Sequence, residues 1–405
     1  MPIETQNLSY RQVIPVGPAE IYRAFTSSTA LREWLCDSAT VSTRLSGHLF
    51  VGWNDGYYAT GHYTELDANR IVGFTWQGRG EPRPTSVRVT IEPGDGGTYM
   101  ALEHCDIGVG PEWGDKLEQF DRAWRRALEN LASVLTSGED LRVTRRPMLG
   151  VLLMPFDADE AVRLGVPVEH GVRLGGVVPG QGAEAAGLRQ DDIIVAVAGH
   201  ATTDVTELRN ALQSHHAGDV VMVEFYRGDE RLSAAMTLSG RKIPVIPATN
   251  EELAERVRQR LTRDEAALDE FLAEVTDVEA SYRPGPEAWS IKQVMAHLIQ
   301  SERYNQQWID ELVASQEASY DAWSGNQEMR LNATIHAFPT LADMLVELKR
   351  LNEETVALLQ GLPEEFVARK RTYWRLARTL LDESYSHIDD HMTQMKAALA
   401  AARAA

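Results

Sequence analysis

The stretch SYSHIDDHMTQM, residues 384–395, sets His387 and His391 four positions apart in a run with helical periodicity. Residues at that spacing share a helix face about 6 Å apart along the axis, so two imidazoles there can reach one ion. An exposed histidine pair is equally a common feature of a solvated helix, and the spacing alone leaves both readings open. A further imidazole lies in AWSIKQVMAHLIQSE, residues 288–302, where His297 falls on the apolar-periodic face with Ile291, Val294, Leu298 and Tyr304. A lone histidine on such a face is usually a satisfied core group. Three inward imidazoles would instead form one face of a coordination sphere and leave positions for water or substrate. That open arrangement belongs to catalytic rather than structural sites. An ion held there lowers the pKa of a ligating thiol or water and supplies a nucleophile near neutral pH.

Positioning such a site requires folded elements, and the chain has room for several. Its 405 residues exceed one ordinary core and suggest two to four domains. An apolar content of 43% with 24% charged residues is that of a globular protein. A net charge of −19 argues against broad binding to nucleic acid or to anionic membranes, which would repel it. Cys36 and Cys105 are too few for a disulfide framework. The N-terminus has no signal-peptide pattern and no run is long enough to span a membrane, so the expectation is a cytoplasmic protein.

The first segment mixes strand and helix patterns. SYRQVIPV alternates as a strand and PAEIYRAF opens a helix with Pro18 in its first turn. Strands follow from ATVSTRL to MALEHCDI, broken by NDG and GDGG turns. A long amphipathic helix closes the segment, with Leu117, Phe120, Trp124, Leu128, Leu131 and Val134 on one stripe. With AEIYRAFTSSTALREWL and the closing EQFDRAWRRALENLASVL, this segment resembles the START-like, SRPBCC helix-grip superfamily, most closely the activators of a heat-shock chaperone ATPase. The resemblance implies a curved antiparallel sheet around the last helix and often an apolar ligand pocket. Trp53, Tyr57, Tyr58 and Trp76 are candidate walls for a small apolar ligand, and the same rings could simply fill the core.

The middle segment reads as MLGVLLM (strand), GVRLGGVVPGQGAEAAGLRQDDIIVAVAGH (strand, turn, short helix, strand), VTELRNALQ (helix) and a hairpin about Arg227–Gly228–Asp229. Gly182–Ala183–Glu184–Ala185–Ala186–Gly187–Leu188, followed by Asp191–Asp192–Ile193–Ile194, makes it resemble a PDZ domain of the bacterial HtrA type. That likeness implies a groove where a C-terminal or extended peptide adds as a strand. Leu149, Gly150 and Val151 would present backbone amides to a terminal carboxylate, Leu208 and Leu212 would line the pocket for the last side chain, and Arg145 and Arg146 could add positive charge. Gly180-x-Gly182-x-x-Ala185 imitates a dinucleotide fingerprint, but its helix ends by Gly187, too short for a βαβ crossover.

After the proline-bearing linker RKIPVIPATN the pattern is helical: about 250–275, a helix opening at Trp289–Ser290 with a Ser290/Gln293 capping box, 340–361, and 373–400. A long connection, 318–340, permits a crossover bundle. RPGPEAWSIKQVMAHLIQSE and LARTLLDESYSHIDDHMTQM make residues 247–402 resemble the DinB-like four-helix bundles, which include metal-dependent thiol transferases. The resemblance implies a divalent ion, zinc or nickel, on His297, His387 and His391. It also implies a low-molecular-weight thiol as cosubstrate, which would have to be diffusible because this segment has no cysteine. Glu302, Asp389 and Asp390 are candidate partners for the ring N–H groups, and the two aspartates could equally belong to a solvated face.

The expected architecture is therefore multidomain α+β: a helix-grip α+β domain (1–140), a PDZ β-barrel-like domain (145–241) and an all-α four-helix bundle (247–402). Two functions follow. One is a metal-dependent transferase of a small thiol to an electrophile, or a hydrolase. The other is a non-enzymatic peptide- or ligand-binding adaptor, or a chaperone-associated protein, whose metal is structural or vestigial.

Overall fold

The computed structural model describes residues 4–213, 215–241, 243–286, 288–317, 327–382 and 387–405, leaving aside the side chain of His387. The chain condenses into two compact units: residues up to Glu139 together with Pro244–Ala405, and Asp140–Ile243. The expected first and third domains thus form one unit, and each unit is described by itself.

In the first unit the order is β1 (Thr5–Ile14), α1 (Pro18–Thr26), α2 (Ser28–Trp34), β2 (Ser38–Val41), β3 (His48–Gly52), β4 (Tyr58–Asp67), β5 (Ile71–Gly78), β6 (Thr85–Gly94), β7 (Gly97–Gly108) and α3 (Lys116–Thr136). The strands form one antiparallel sheet ordered β1-β7-β6-β5-β4-β3-β2. Period-2 alternation in β6, with Val87, Val89 and Ile91 buried, aims one face at α3. The stripe Phe120, Trp124, Leu128, Leu131 and Val134 is buried in that same core.

The second unit contains α4 (Leu141–Thr144), β8 (Val151–Met154), α5 (Ala158–Leu164), β9 (Val172–Val177), α6 (Gly182–Ala185), β10 (Ile193–Val197), β11 (His200–Ala201), α7 (Val205–Leu212), β12 (Val220–Arg227) and β13 (Glu230–Thr237). Its sheet runs β13-β12-β10-β9-β8 with β11 paired to β10, which leaves β8 at an end. Gly228, at φ 59°, and Asp229 close the β12–β13 hairpin. The dinucleotide-like motif lies on α6, only four residues long.

The rest of the first unit is helical: α8 (Asn250–Leu272), α9 (Asp277–Ser281), α10 (Ile291–Ala314), α11 (Gln327–Ala337), α12 (Leu341–Gln360), α13 (Glu364–Ala368), α14 (Lys370–Leu381) and α15 (His387–Ala404). The Ser290/Gln293 capping box forms as expected. Two expectations are corrected. The long connection contains a helix, α11, whose pattern is faint because only Leu331 and Thr334 are buried. The single helix expected over 373–400 ends at Leu381, since Asp382 adopts an extended backbone (φ −71°, ψ 107°), and a separate helix begins at His387. No helix among the described residues is long and apolar enough to cross a membrane.

His104 ties the sheet of the first unit to α3. It is fully buried; Trp124 Nε1 donates to its Nδ1 at 3.0 Å, and Thr85 Oγ1 lies 2.7 Å from its Nε2. Because Trp124 can only donate, Nδ1 must accept, so Nε2 carries the proton and donates to Thr85, whose hydroxyl in turn donates to the Trp76 carbonyl. Burial lowers the His104 pKa to about 4. An unfolded histidine titrates near 6.5, so below that pH only the unfolded chain takes the proton. Stability of the first unit should fall as pH drops from about 6.5 towards 4, by roughly 3 kcal/mol at most, since one pKa unit is worth about 1.4 kcal/mol. Thermal midpoints across that range check this. His104→Phe should flatten the slope while costing about 1–3 kcal/mol, because the Trp124 Nε1 donor loses its acceptor and the Thr85 hydroxyl oxygen loses its donor.

Candidate metal centre

Two apolar clusters hold the bundle together. One gathers Ile291, Val294, Met295, Ile299, Met344 and Met395; the other gathers Leu253, Val257, Ile309, Leu312, Phe366 and Leu376. Between them runs a polar belt. Thr355 donates to Glu302, Asn305 donates to Glu302 at 3.1 Å, Gln306 donates to the Leu351 carbonyl at 2.9 Å, and Asn352 donates to Glu265 at 2.7 Å. These bonds stitch α8, α10 and α12 together without filling the interior.

His297, in the second turn of α10, and His391, in the second turn of α15, converge. Their ring centroids are 4.8 Å apart, at an interplanar angle of 65°. Two imidazoles on one ion, with metal–nitrogen distances of about 2.0–2.1 Å and a right to tetrahedral angle, have centroids about 4.5–5 Å apart. That separation admits a shared ion and is also that of an edge-to-face ring contact, the arrangement their 65° angle describes. Trp289 packs behind both, 5.2 Å from His297 and stacked at 15° on His391. The Gln394 side-chain oxygen lies 3.0 Å from His391 Nδ1. If that oxygen accepts, the lone pair sits on Nε2, as ligation requires. His387 begins α15 one turn earlier, and its side chain lies outside the described residues. Among the described residues no group of three or more His, Cys, Asp or Glu gathers around a common ion position.

His297 also lines a cavity of about 850 Å³, with Asp264, Gln300, Tyr304, Arg330 and Asp389 among its walls. That volume suits a small ligand. Asp264 has no metal-like spacing in the sequence and reads there as one more charge on a solvated helix. In the fold it is half-buried, and burial raises its pKa, with Asp389 and Glu265 adding to the rise against Arg260 and Arg263. A carboxyl raised in this way inside a cavity is a candidate proton carrier.

The other expected partners are placed differently. Glu302 is buried and turned to Thr355 and Asn305, while Asp390 is exposed on α15. The aromatic residues Trp308 and Trp374 lie off the cavity walls: Trp308 donates to Glu317, and Trp374 packs beneath Arg371 and Arg378.

In the second unit Leu149, Val151, Leu208 and Leu212 join one apolar cluster. The Leu149 and Gly150 carbonyls accept from Ala183 at 2.9 Å and from Val178 at 2.8 Å. Leu152, Leu153 and Met154 of β8 are exposed, and no further strand pairs with its outer edge among the described residues. Arg145 and Arg146 are exposed. In the helix-grip domain Trp53 and Trp76 lie 6.3 Å apart inside the aromatic core. Tyr58 stacks instead on Phe50 and is exposed, because neighbouring Ala59 takes the inward position of β4.

Three family models match the chain in sequence order. They are activator of Hsp90 ATPase homolog 1-like protein over residues 15–136, PDZ domain over 147–238 and DinB superfamily over 260–395. The protein thus carries a helix-grip domain of the SRPBCC kind, a PDZ domain and a DinB-like bundle, in that order. Curated relatives match through the PDZ region. A probable periplasmic serine endoprotease DegP-like of Chlamydia trachomatis is 33% identical over 115 residues, 28% of this chain and 22% of the relative. The serine protease Do-like HtrA of Lactococcus lactis is 34% identical over 164 residues, 37% of this chain and 39% of the relative. The chain thus spans well under half the length of either. Among solved structures, protein MLL2253 of Mesorhizobium loti is 19% identical, covering 32% of this chain and 96% of that one at a TM-score of 0.29. The Aha1 dimer of Colwellia psychrerythraea is 20% identical over 32% of this chain and 95% of that one, at a TM-score of 0.28.

Gly150 has φ +79°, and a Cβ there would stand 2.4 Å from the Gln181 Cβ. Gly150→Ala should therefore destabilise the PDZ domain by about 1–3 kcal/mol, read as a lower midpoint for its unfolding transition.

Proposed function

We propose that the bundle holds a divalent metal ion on His297, His391 and His387 and uses it to transfer a small thiol, or water, to an electrophilic substrate. The single observation that carries this reading is the convergence of His297 and His391 to 4.8 Å beside a cavity of about 850 Å³. His297, His391 and His387 would hold the ion, which would supply a thiol or water nucleophile near neutral pH. Trp289 excludes water from behind the rings and fixes their planes. Tyr304, with Arg330 over its ring, walls the cavity. Asp264, which lines the cavity and whose carboxyl is raised by burial above its ordinary pKa, serves as the proton carrier. The bundle has no cysteine, so the thiol is a separate small molecule.

The PDZ domain supplies recruitment in this reading. The exposed edge of β8, the Leu149–Val151 turn and the Leu208/Leu212 face take an extended or C-terminal peptide as an added strand. The likeness to HtrA-type PDZ segments also supports a second reading, an adaptor whose metal is structural.

Metal analysis of wild type against His297→Ala and His391→Ala separates these. Each variant should lose most of the bound zinc or nickel, with affinity falling at least tenfold. Thiol consumption against a panel of electrophiles should fall with it if the site is catalytic. Metal loss without any thiol or hydrolytic activity in the wild type would favour the adaptor, and unchanged metal content would remove the site. A C-terminal peptide library should yield ligands for the wild type, and their binding should weaken in Leu212→Asp. No binding above background would reject the groove.

A further inference from the structure

The contact between the helix-grip domain and the bundle, within the first unit, is built from buried charge rather than from apolar surface alone. Glu317, three residues beyond the end of α10, is 8% exposed at its side chain. It accepts from Arg375 of α14 and Trp308 of α10, and from Arg32 of α2 at 3.0 Å. Burial pushes its carboxyl up in pKa, yet these donors outweigh burial and its pKa lies below the ordinary value. Glu33 of α2 is buried as well; Thr372 donates to it at 2.6 Å and Arg371 Nε donates to its carbonyl at 3.0 Å.

The end of α10 is fixed in the same place. Arg369 donates to the Val313 carbonyl at 2.7 Å and to Ser315, while Thr29 Oγ1 donates to the Ser315 carbonyl at 3.4 Å. Lys370 donates to the Thr136 carbonyl of α3 at 2.7 Å. Gly138, at φ +82°, sits so close that a Cβ would stand 2.4 Å from the Lys370 carbonyl oxygen. Removing a buried carboxylate that holds three donors is strongly destabilising, because the largely enclosed guanidinium groups of Arg32 and Arg375 lose this charge partner.

These contacts grip the far end of α10, which carries His297, and α14, which precedes the helix that carries His391. α10 bears His297, and α14 lines the cavity with Thr379 and Leu380 before α15 brings His391. From His297 to Ala314 the helix is about 25 Å long at 1.5 Å per residue. A tilt of about 5° at the gripped end therefore displaces His297 by about 2 Å, several times the roughly 0.2 Å within which metal–ligand distances must hold.

We infer that the helix-grip domain is a brace for the metal centre, with Glu317 as the positioning residue that sets α10 against α14. The domain then does its work through the α2 face and the end of α3, as part of the bundle, whatever its sheet may bind. This inference rests on the metal reading above for its affinity readout, and has an independent readout in cooperativity.

The test uses the full chain, with zinc ion competed against a chromophoric chelator, in wild type, Glu317→Gln and the exposed control Glu353→Gln. Glu317→Gln should weaken zinc binding about 5- to 100-fold at unchanged helix content, the range of ordinary site-to-site coupling, while Glu353→Gln leaves it within about twofold. Calorimetry should show residues 1–139 and 244–405 unfolding in one transition whose midpoint drops in Glu317→Gln. Equal zinc affinity in Glu317→Gln and wild type would overturn the brace, as would separate transitions for the helix-grip domain and the bundle in the wild type. If wild type binds no zinc or nickel, the metal reading fails, and calorimetry decides the structural half alone: one shared transition supports the helix-grip domain holding α10 against α14, and two overturn it.

Discussion

Two imidazoles brought to 4.8 Å from helices distant in the chain constrain everything around them. Both rings are only partly buried, and Trp289 packs against each of them. Around them the bundle gives up interior space. Its apolar residues split into two clusters, and the waist between them is occupied by a polar belt and a cavity. Buried polar groups cost free energy unless they are satisfied, and here Glu302, Glu265, Gln306 and Asn352 find partners on neighbouring helices. The belt is what lets a cavity exist without collapse of the bundle.

A site of this kind needs fixed helices more than it needs stable ones. The buried carboxylates Glu33 and Glu317 meet that need at the other end of α10 and α14, where two family domains share one compact unit. The PDZ domain, whose residues fall between the two segments of that unit in sequence, folds on its own core of Leu174, Ile194, Val223 and Met236. The PDZ domain and the bundle thus rest on separate cores.

Much of this was legible in the sequence because it is written in local patterns. The capping box at Ser290, the stripe of α3, the four-residue length of α6 and the hairpin at Gly228 all follow from spacing over a few residues. His297 and His391 could be named from their helical faces together with a family resemblance. What escaped is non-local. α14 stops at Asp382 with no Pro or Gly to announce it, α11 buries too few residues to declare itself, and Tyr58 was one position out of phase with the inward face of β4. Asp264, Glu33 and Glu317 look like ordinary surface charges in one dimension, and only the fold shows that they are enclosed.

Metal-edge X-ray absorption on the zinc- or nickel-loaded full-length protein tests the central claim most directly. The account predicts at least two imidazole nitrogens at about 2.0–2.1 Å from the ion, with that scattering lost in His391→Ala. A first shell of oxygen atoms alone, unchanged by that substitution, would contradict it.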